Sequence, residues 1–319
     1  MSGVLRGWKL LALSILNVCF LFIGLVITGA FFVSHEKRIR ARARGMSLWA
    51  KSACRIMGVV ISSANRSIPA TGAFIVSNHC SYLDILVLGS LFPAVFVAKK
   101  EIASWPLLGL LASLAGTHFV QRKSRKAAAE GLAQIRQLLS RGVNVIVFPE
   151  ATTNDGMRMK QFKSLFFEAP LNAKAPILPL SIVYTHIDSS AVPAGASNPV
   201  AWHGDMELIS HLWDVLGMRR IDVHVCCLSL IREVLSAEGS RRRKILASVT
   251  HEQIQSGLEC AKRTTGKLGC DKICNQITEV GVMKSGELSQ QERSPWQKIR
   301  GRRCYSLFPE DDYPVCSEN

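Results

Sequence analysis

Hydrophobic and polar positions give the chain three rhythms in succession. From Leu10 to Val33 (LLALSILNVCFLFIGLVITGAFFV) no residue is charged. At ~1.5 Å of rise per residue that run measures roughly 36 Å, enough to cross a hydrocarbon core of about 30 Å with some tilt. It is too long for the apolar part of a secretion signal, and Ile27-Thr28-Gly29-Ala30 is a poor cleavage site. A second segment, Ser47 to Ile61, mixes apolar residues with Lys51 and Arg55 and carries Trp49 near its start. It reads as an interfacial helix on the membrane surface or a re-entrant partner of the first helix, or equally as the first helix of the soluble domain.

After about residue 70 short apolar runs alternate with helical patterns. Strands are predicted at Gly72–Val76, Ala94–Ala98, Thr117–Val120, Val143–Phe148, Ile177–Tyr184 (interrupted by Pro179) and Ile221–Leu228. Helices are predicted at Asp84–Phe92, Trp105–Leu114, Ser124–Ser140 and Met206–Leu216, with Ser124 as a start signal and Gly142 as a stop. Such alternation implies an α/β fold, with a mixed or largely parallel sheet flanked by helices and an N-terminal membrane helix. Near residue 264 the pattern fades into a polar, basic tail without apolar periods, expected to be disordered. The expected organisation is a membrane-anchoring region (1–62), an α/β domain (63–263) and the tail (264–319).

Charge sharpens this picture. The 319 residues carry a formal net charge of +15, so an anionic partner is expected: nucleic acid, a negatively charged bilayer face or acidic substrates. Lys37, Arg38, Arg40, Arg42 and Arg44 follow the apolar run, against only Arg6 and Lys9 before it. The positive-inside rule therefore puts the bulk of the chain on the cytoplasmic side of the cell membrane, in contact with anionic headgroups. Nucleic acid is disfavoured, because no basic strand interleaved with aromatics is present. The ten cysteines follow no framework or zinc-ligand spacing, so they read as free thiols in a reducing compartment and no metal is expected.

Four segments at predicted strand ends carry the candidate chemistry, where ligand sites of open α/β sheets gather. The first is Asn78-His79-Cys80-Ser81-Tyr82-Leu83-Asp84. Histidine is the natural general base near neutral pH, and an aspartate on its Nδ1–H fixes the tautomer that leaves Nε2 free. On one regular helix two side chains five residues apart diverge by roughly 140°, so the pair meets only if His79 lies in the turn and Asp84 in the first helical turn. Read alone, the two residues are equally a loop histidine and an early-helix carboxylate. The second segment, Gly116 to Arg122, offers a guanidinium for phosphate; with Lys123 and Arg125 beside it, Arg122 is otherwise a surface charge. The third, Phe148-Pro149-Glu150-Ala151-Thr152-Thr153-Asn154-Asp155-Gly156, places Glu150 and Thr152 in a turn suited to a polar substrate, with Lys163 downstream between aromatics. The fourth, Pro176-Ile177-Leu178-Pro179-Leu180, is a shaping element.

In order and approximate spacing, over roughly residues 70–185, these segments resemble the four blocks of the glycerolipid and lysophospholipid acyltransferase family. One departure is visible: the usual glycine of the Phe-Pro-Glu-Gly-Thr block is Ala151. The resemblance implies a direct transfer without acyl-enzyme. His79, oriented by Asp84, is the base on a lysolipid hydroxyl, and Arg122, Glu150, Thr152 and Lys163 bind the acceptor's polar part. It implies no cofactor, only an acyl thioester of acyl carrier protein or coenzyme A as co-substrate. Cys80 and Ser81 are then not nucleophiles. The first acceptor it implies is 1-acylglycerol-3-phosphate, giving phosphatidic acid. The second is lyso-ornithine lipid, because Ala201-Trp202-His203-Gly204-Asp205-Met206 and His211-Leu212-Trp213 look like a bacterial branch that O-acylates it. A phosphatase or esterase would call for a metal cluster or a G-x-S-x-G elbow, and neither is present. A non-catalytic lipid-binding protein is the alternative of another class, and it would have no need of His79 with Asp84.

Overall fold

A computed structural model of the chain describes residues 2–29, 34–64, 72–121, 124–193, 195–232 and 239–263. Two long helices come first, α1 (Ser2–Gly29) and α2 (His35–Met57). There follow β1 (Val59–Ala64), β2 (Phe74–Ser77), α3 (Leu83–Leu91), β3 (Val95–Lys99), α4 (Leu108–Leu114) and β4 (His118–Val120). Next come α5 (Arg125–Ser140), β5 (Val145–Val147), α6 (Glu168–Ala173), β6 (Ile177–Ile187), β7 (Ser190–Ala191), α7 (Leu208–Gly217), β8 (Ile221–Cys227) and α8 (Gly239–Arg263).

Among the described residues the strands form one eight-stranded sheet in the order β1-β8-β6-β2-β5-β3-β4, with β7 hydrogen-bonded to β6. Neighbours run parallel except at β6–β8 and β6–β7. The central strands are apolar on both faces, as a sheet covered on both sides requires. Ile75, Ile146, Leu180, Ile182 and Val225 pack with Leu83, Val87 and Leu88 of α3, with Ala50 and Met57 of α2 and with Leu216 of α7. The alternate residues Phe74, Val76, Val145, Val147 and Val183 pack with Ile135 of α5, Ala169 of α6 and Ile254 and Leu258 of α8.

Several expectations are corrected. Ser47–Ile61 is not one helix: α2 ends at Met57, where Gly58 takes φ 78° and its N–H bonds back to Arg55 O. The β-branched Val59-Val60-Ile61 then enters β1, which pairs with β8 from Val59↔Ile221 onward. Residue 62 therefore lies inside a sheet strand, and α2 buries Met46, Ala50, Ala53, Cys54 and Met57. Pro179 does not interrupt β6. The β6–β8 ladder begins at Leu180↔Cys227, and Pro179 beyond it only has to accept, from Leu228 N. Cys19 and Cys54 are free thiols, whereas Cys226 is disulfide-bonded, so the free-thiol reading does not hold at that position. The expected tail, residues 264–319, lies outside the described residues.

α1 is long and apolar enough over Gly3–Gly29 to cross a bilayer, and Trp8, Leu11, Ile15, Val18, Phe22 and Leu25 are exposed on it. Polar ties nevertheless fasten it along its length. Lys9 Nζ donates to Met57 O (2.7 Å) and Met218 O (2.6 Å), Trp49 Nε1 to Asn17 Oδ1 (3.0 Å), and Arg42 Nη2 to Thr28 Oγ1 (2.8 Å). Two of the basic residues read as headgroup contacts are thus engaged by the protein: Arg42 here, and Arg40 with Glu36 and Arg141 O.

Candidate active site

The parallel register brings the strand ends level. Val76 of β2 faces Val147 of β5, and Ser77 faces Leu180 of β6. The chain leaving β2 and the chain leaving β5 therefore emerge side by side. Asn78 fastens the first of them: its Nδ2 donates to Ile182 O (3.0 Å) and its Oδ1 accepts from Ile182 N (2.8 Å), extending the ladder by one side chain. His79 follows in the turn, and Asp84 is the second residue of α3. His79 Nδ1 lies 2.9 Å from Asp84 Oδ2. A carboxylate only accepts, so Nδ1 carries a proton, and in the neutral ring the lone pair is left on Nε2. Asp84 is fully buried, and the His79 side chain is 15% exposed.

A buried carboxylate needs donors, and Asp84 has them. Oδ2 also accepts from Cys80 N (2.8 Å) and Ser81 N (3.0 Å), and Oδ1 accepts from Tyr184 OH (2.7 Å). The imidazole stacks on Phe148 at 4.0 Å between ring centroids. Ring plane and tautomer are thus set from two sides. Cys80 and Ser81 are buried, and Ser81 Oγ accepts from Leu83 N.

The loop after β5 locks onto the same turn. Glu150 Oε1 accepts from His79 N (2.8 Å), and Oε2 accepts from Asn154 Nδ2 (2.6 Å) and Lys160 N (2.8 Å). Asn154 N returns a bond to His79 O (3.1 Å). Burial pushes the Glu150 carboxyl above the usual carboxylate range, and these hydrogen bonds pull the other way. Glu150 is 2% exposed with both oxygens occupied, so it is turned to the protein rather than to a substrate as the sequence suggested. Ala151, the residue in place of the expected glycine, adopts φ 66°.

Thr152 and Lys163 are exposed, and Lys163 N donates to Pro149 O (2.9 Å), which keeps its backbone beside the loop. Arg122 lies outside the described residues. The strand leading to it, β4, is three places from β2 in the sheet, ~14 Å at the usual strand spacing. Tyr184, Asn78 and Asn154 were missed as site residues. The available signal was a tyrosine in a largely apolar strand, whose hydroxyl must find a partner once buried. The 201–213 segment also reaches the site: Trp202 N donates to Cys80 O (2.8 Å), and Tyr82 OH lies 3.1 Å from His211 Nδ1.

A histidine held through Nδ1 by a buried carboxylate at the carboxyl end of a parallel strand has the geometry that a general base acting on a hydroxyl requires. Residues 59–183 match the family model described as Acyltransferase. A lyso-ornithine lipid O-acyltransferase of Rhizobium meliloti is 33% identical over 214 residues, which cover 62% of this chain and 73% of that protein. A 1-acyl-sn-glycerol-3-phosphate acyltransferase of Neisseria meningitidis serogroup B is 32% identical over 154 residues, 48% of this chain and 58% of that one. The crystal structure of the 1-acyl-sn-glycerophosphate acyltransferase PlsC from Thermotoga maritima shares the fold, with a TM-score of 0.57 at 19% identity, covering 84% of this chain and all of that one. The chain belongs to the acyltransferase family.

Proposed function

We propose that the protein transfers a fatty acyl group from a soluble thioester, on acyl carrier protein or coenzyme A, to the hydroxyl of a lysolipid. The His79–Asp84 pair carries this reading. His79 Nε2 takes the proton as the hydroxyl oxygen attacks the thioester carbonyl carbon. The tetrahedral intermediate then collapses, the C–S bond breaks, and the imidazolium returns its proton to the departing thiolate. Such a base contributes ~10²–10⁴-fold. Exposed Thr152 and Lys163, with Arg122, meet the polar part of the acceptor, and no cofactor enters.

Lyso-ornithine lipid is the acceptor we place first. The Rhizobium meliloti relative covers more of its own length than the Neisseria meningitidis one, 73% against 58%. The 201–213 segment, which resembles that branch, is hydrogen-bonded to the turn of His79. The sequence alone put 1-acylglycerol-3-phosphate first, and the basic balance of +15 keeps it as the second reading, since it suits an anionic headgroup.

We further propose that the protein sits on the cytoplasmic leaflet of the cell membrane with α1 embedded along one side, not crossing. A crossing would tear α1 from partners at residues 9, 17 and 28, and α2, its partner, carries eight basic or acidic side chains from Glu36 to Arg55. The exposed Trp105, Leu108 and Leu110 around α4, and Ile209 and Trp213 on α7, extend the apolar face on elements that α1 touches.

The test is acyl transfer by the detergent-purified protein from a labelled thioester, with the two lysolipids offered separately and His79→Ala alongside. Label is expected in ornithine lipid, with none from the variant, which still folds and still binds membrane. Label in phosphatidic acid instead would reverse the order of acceptors. Transfer by His79→Ala equal to the parent's would remove His79 as the base.

A further inference from the structure

Asp84 Oδ2 takes three hydrogen bonds, all from the local segment: His79 Nδ1, Cys80 N and Ser81 N. Oδ1 is held at 2.7 Å from a distant strand by Tyr184 OH, 100 residues further along the chain, and has the Cys80 thiol, a weak donor, beside it at 4.0 Å. The torsion that turns a carboxylate plane is soft, so bonds to one oxygen alone leave the plane poorly defined. Tyr184 is 2% exposed, and its position is built in. Asn78 grips both backbone polar groups of Ile182, two residues earlier on the same strand, which locks β6 in register with the turn of His79.

We propose that Tyr184 is a positioning residue for the reaction: its hydroxyl fixes the Asp84 carboxylate so that Oδ2 faces His79 Nδ1, and it moderates that carboxylate's hold on a protonated imidazole. This rests on the reading of His79 as base. Around the pair stand Cys80 in the turn, Cys54 on α2 and Glu150 in the loop after β5. Burial pushes the Tyr184 phenol well above its ordinary range, so it remains a donor, and the Cys54 thiol is pushed up to about 12. Neither the Cys54 thiol nor the phenol then changes charge where the enzyme works. Glu150 is common to parent and variant. Without the phenol, Asp84 has one donor fewer and holds the protonated imidazole more firmly. Activity on the acid side then begins at higher pH.

Tyr184→Phe keeps the ring and removes one oxygen. In the same assay as the parent and His79→Ala, kcat is expected to fall about tenfold, with both KM values within about twofold. The acid limb of the pH profile is expected to move to higher pH. In an Asp84→Asn background, Tyr184→Phe is expected to change the residual rate no further. A raised acceptor KM with kcat unchanged would place the phenol in the substrate site and overturn the proposal. So would an unmoved acid limb, or a loss that adds fully to that of Asp84→Asn, because either reduces Tyr184 to packing. A parent that transfers no label defeats the functional reading itself, whereas an active parent with an unaffected variant defeats only the role of Tyr184.

Discussion

At the scale of single residues, Ala151 shows how a sequence departure becomes a physical cost. Its φ of 66° is the left-handed conformation, which costs an L-residue with a Cβ roughly 1–2 kcal/mol. The strain is held by neighbours on both sides: Ala151 N bonds to Phe148 O, and Glu150 is clamped by three donors. Glycine would relieve it, less the ~0.5–1 kcal/mol of extra freedom that glycine gives the unfolded chain. Ala151→Gly is therefore expected to raise unfolding free energy by on the order of 0.5–1 kcal/mol, read from a denaturant midpoint. A lower midpoint would mean that the methyl's packing outweighs the backbone strain. The block around Ala151 was legible because its residue types are chemically marked. What those residues touch was not legible. Nothing local says that Glu150 would be spent on His79 N, since that bond exists only because β2 and β5 pair in parallel.

At the scale of elements, strands and helices with strong periods were legible, and the misses share a cause. β1 was hidden because Val59–Ala64 continues the apolar character of α2, and the break at Gly58 is made by tertiary contact: a side chain there would collide with Arg219 O. α8 was not predicted because its buried stripe runs through Leu246, Thr250, Gln253, Ile254 and Leu258, too polar in part to register as an apolar period. The hydropathy of α1 marks it as apolar enough to cross a membrane but does not show where Lys9 goes. Its ammonium bridges the carbonyls of Met57, the last residue of α2, and Met218, which caps α7, as a cation at two helix C-termini should. Lys9→Met removes that donor and leaves two carbonyls wanting partners. The expected loss is about 1–3 kcal/mol of stability, seen as earlier thermal unfolding in detergent. An unchanged unfolding temperature would mean that α1 is not fastened to the domain by this residue.

At the scale of the whole molecule, two kinds of attraction bear on the membrane, and they separate experimentally. One is apolar: the outward face of α1, joined by Trp105, Leu108, Ile209 and Trp213. The other is electrostatic, from a formal charge of +15 against anionic headgroups. Each Lys or Arg near such a surface is worth ~1 kcal/mol, and salt erases this as the screening length shrinks from ~10 Å at 0.1 M to ~3 Å at 1 M. Burial of apolar side chains is not screened. Binding to vesicles rich in phosphatidylglycerol is therefore expected to exceed binding to phosphatidylcholine vesicles at low salt, and to fall at least tenfold toward the phosphatidylcholine level at ~1 M NaCl. It should not vanish, because the apolar face remains. Complete release by salt would reduce α1 to an ordinary helix of the fold, with charge alone holding the enzyme to its substrate's membrane. Binding indifferent to both salt and lipid charge would instead mean that the basic residues, like Arg40 and Arg42, are engaged within the protein.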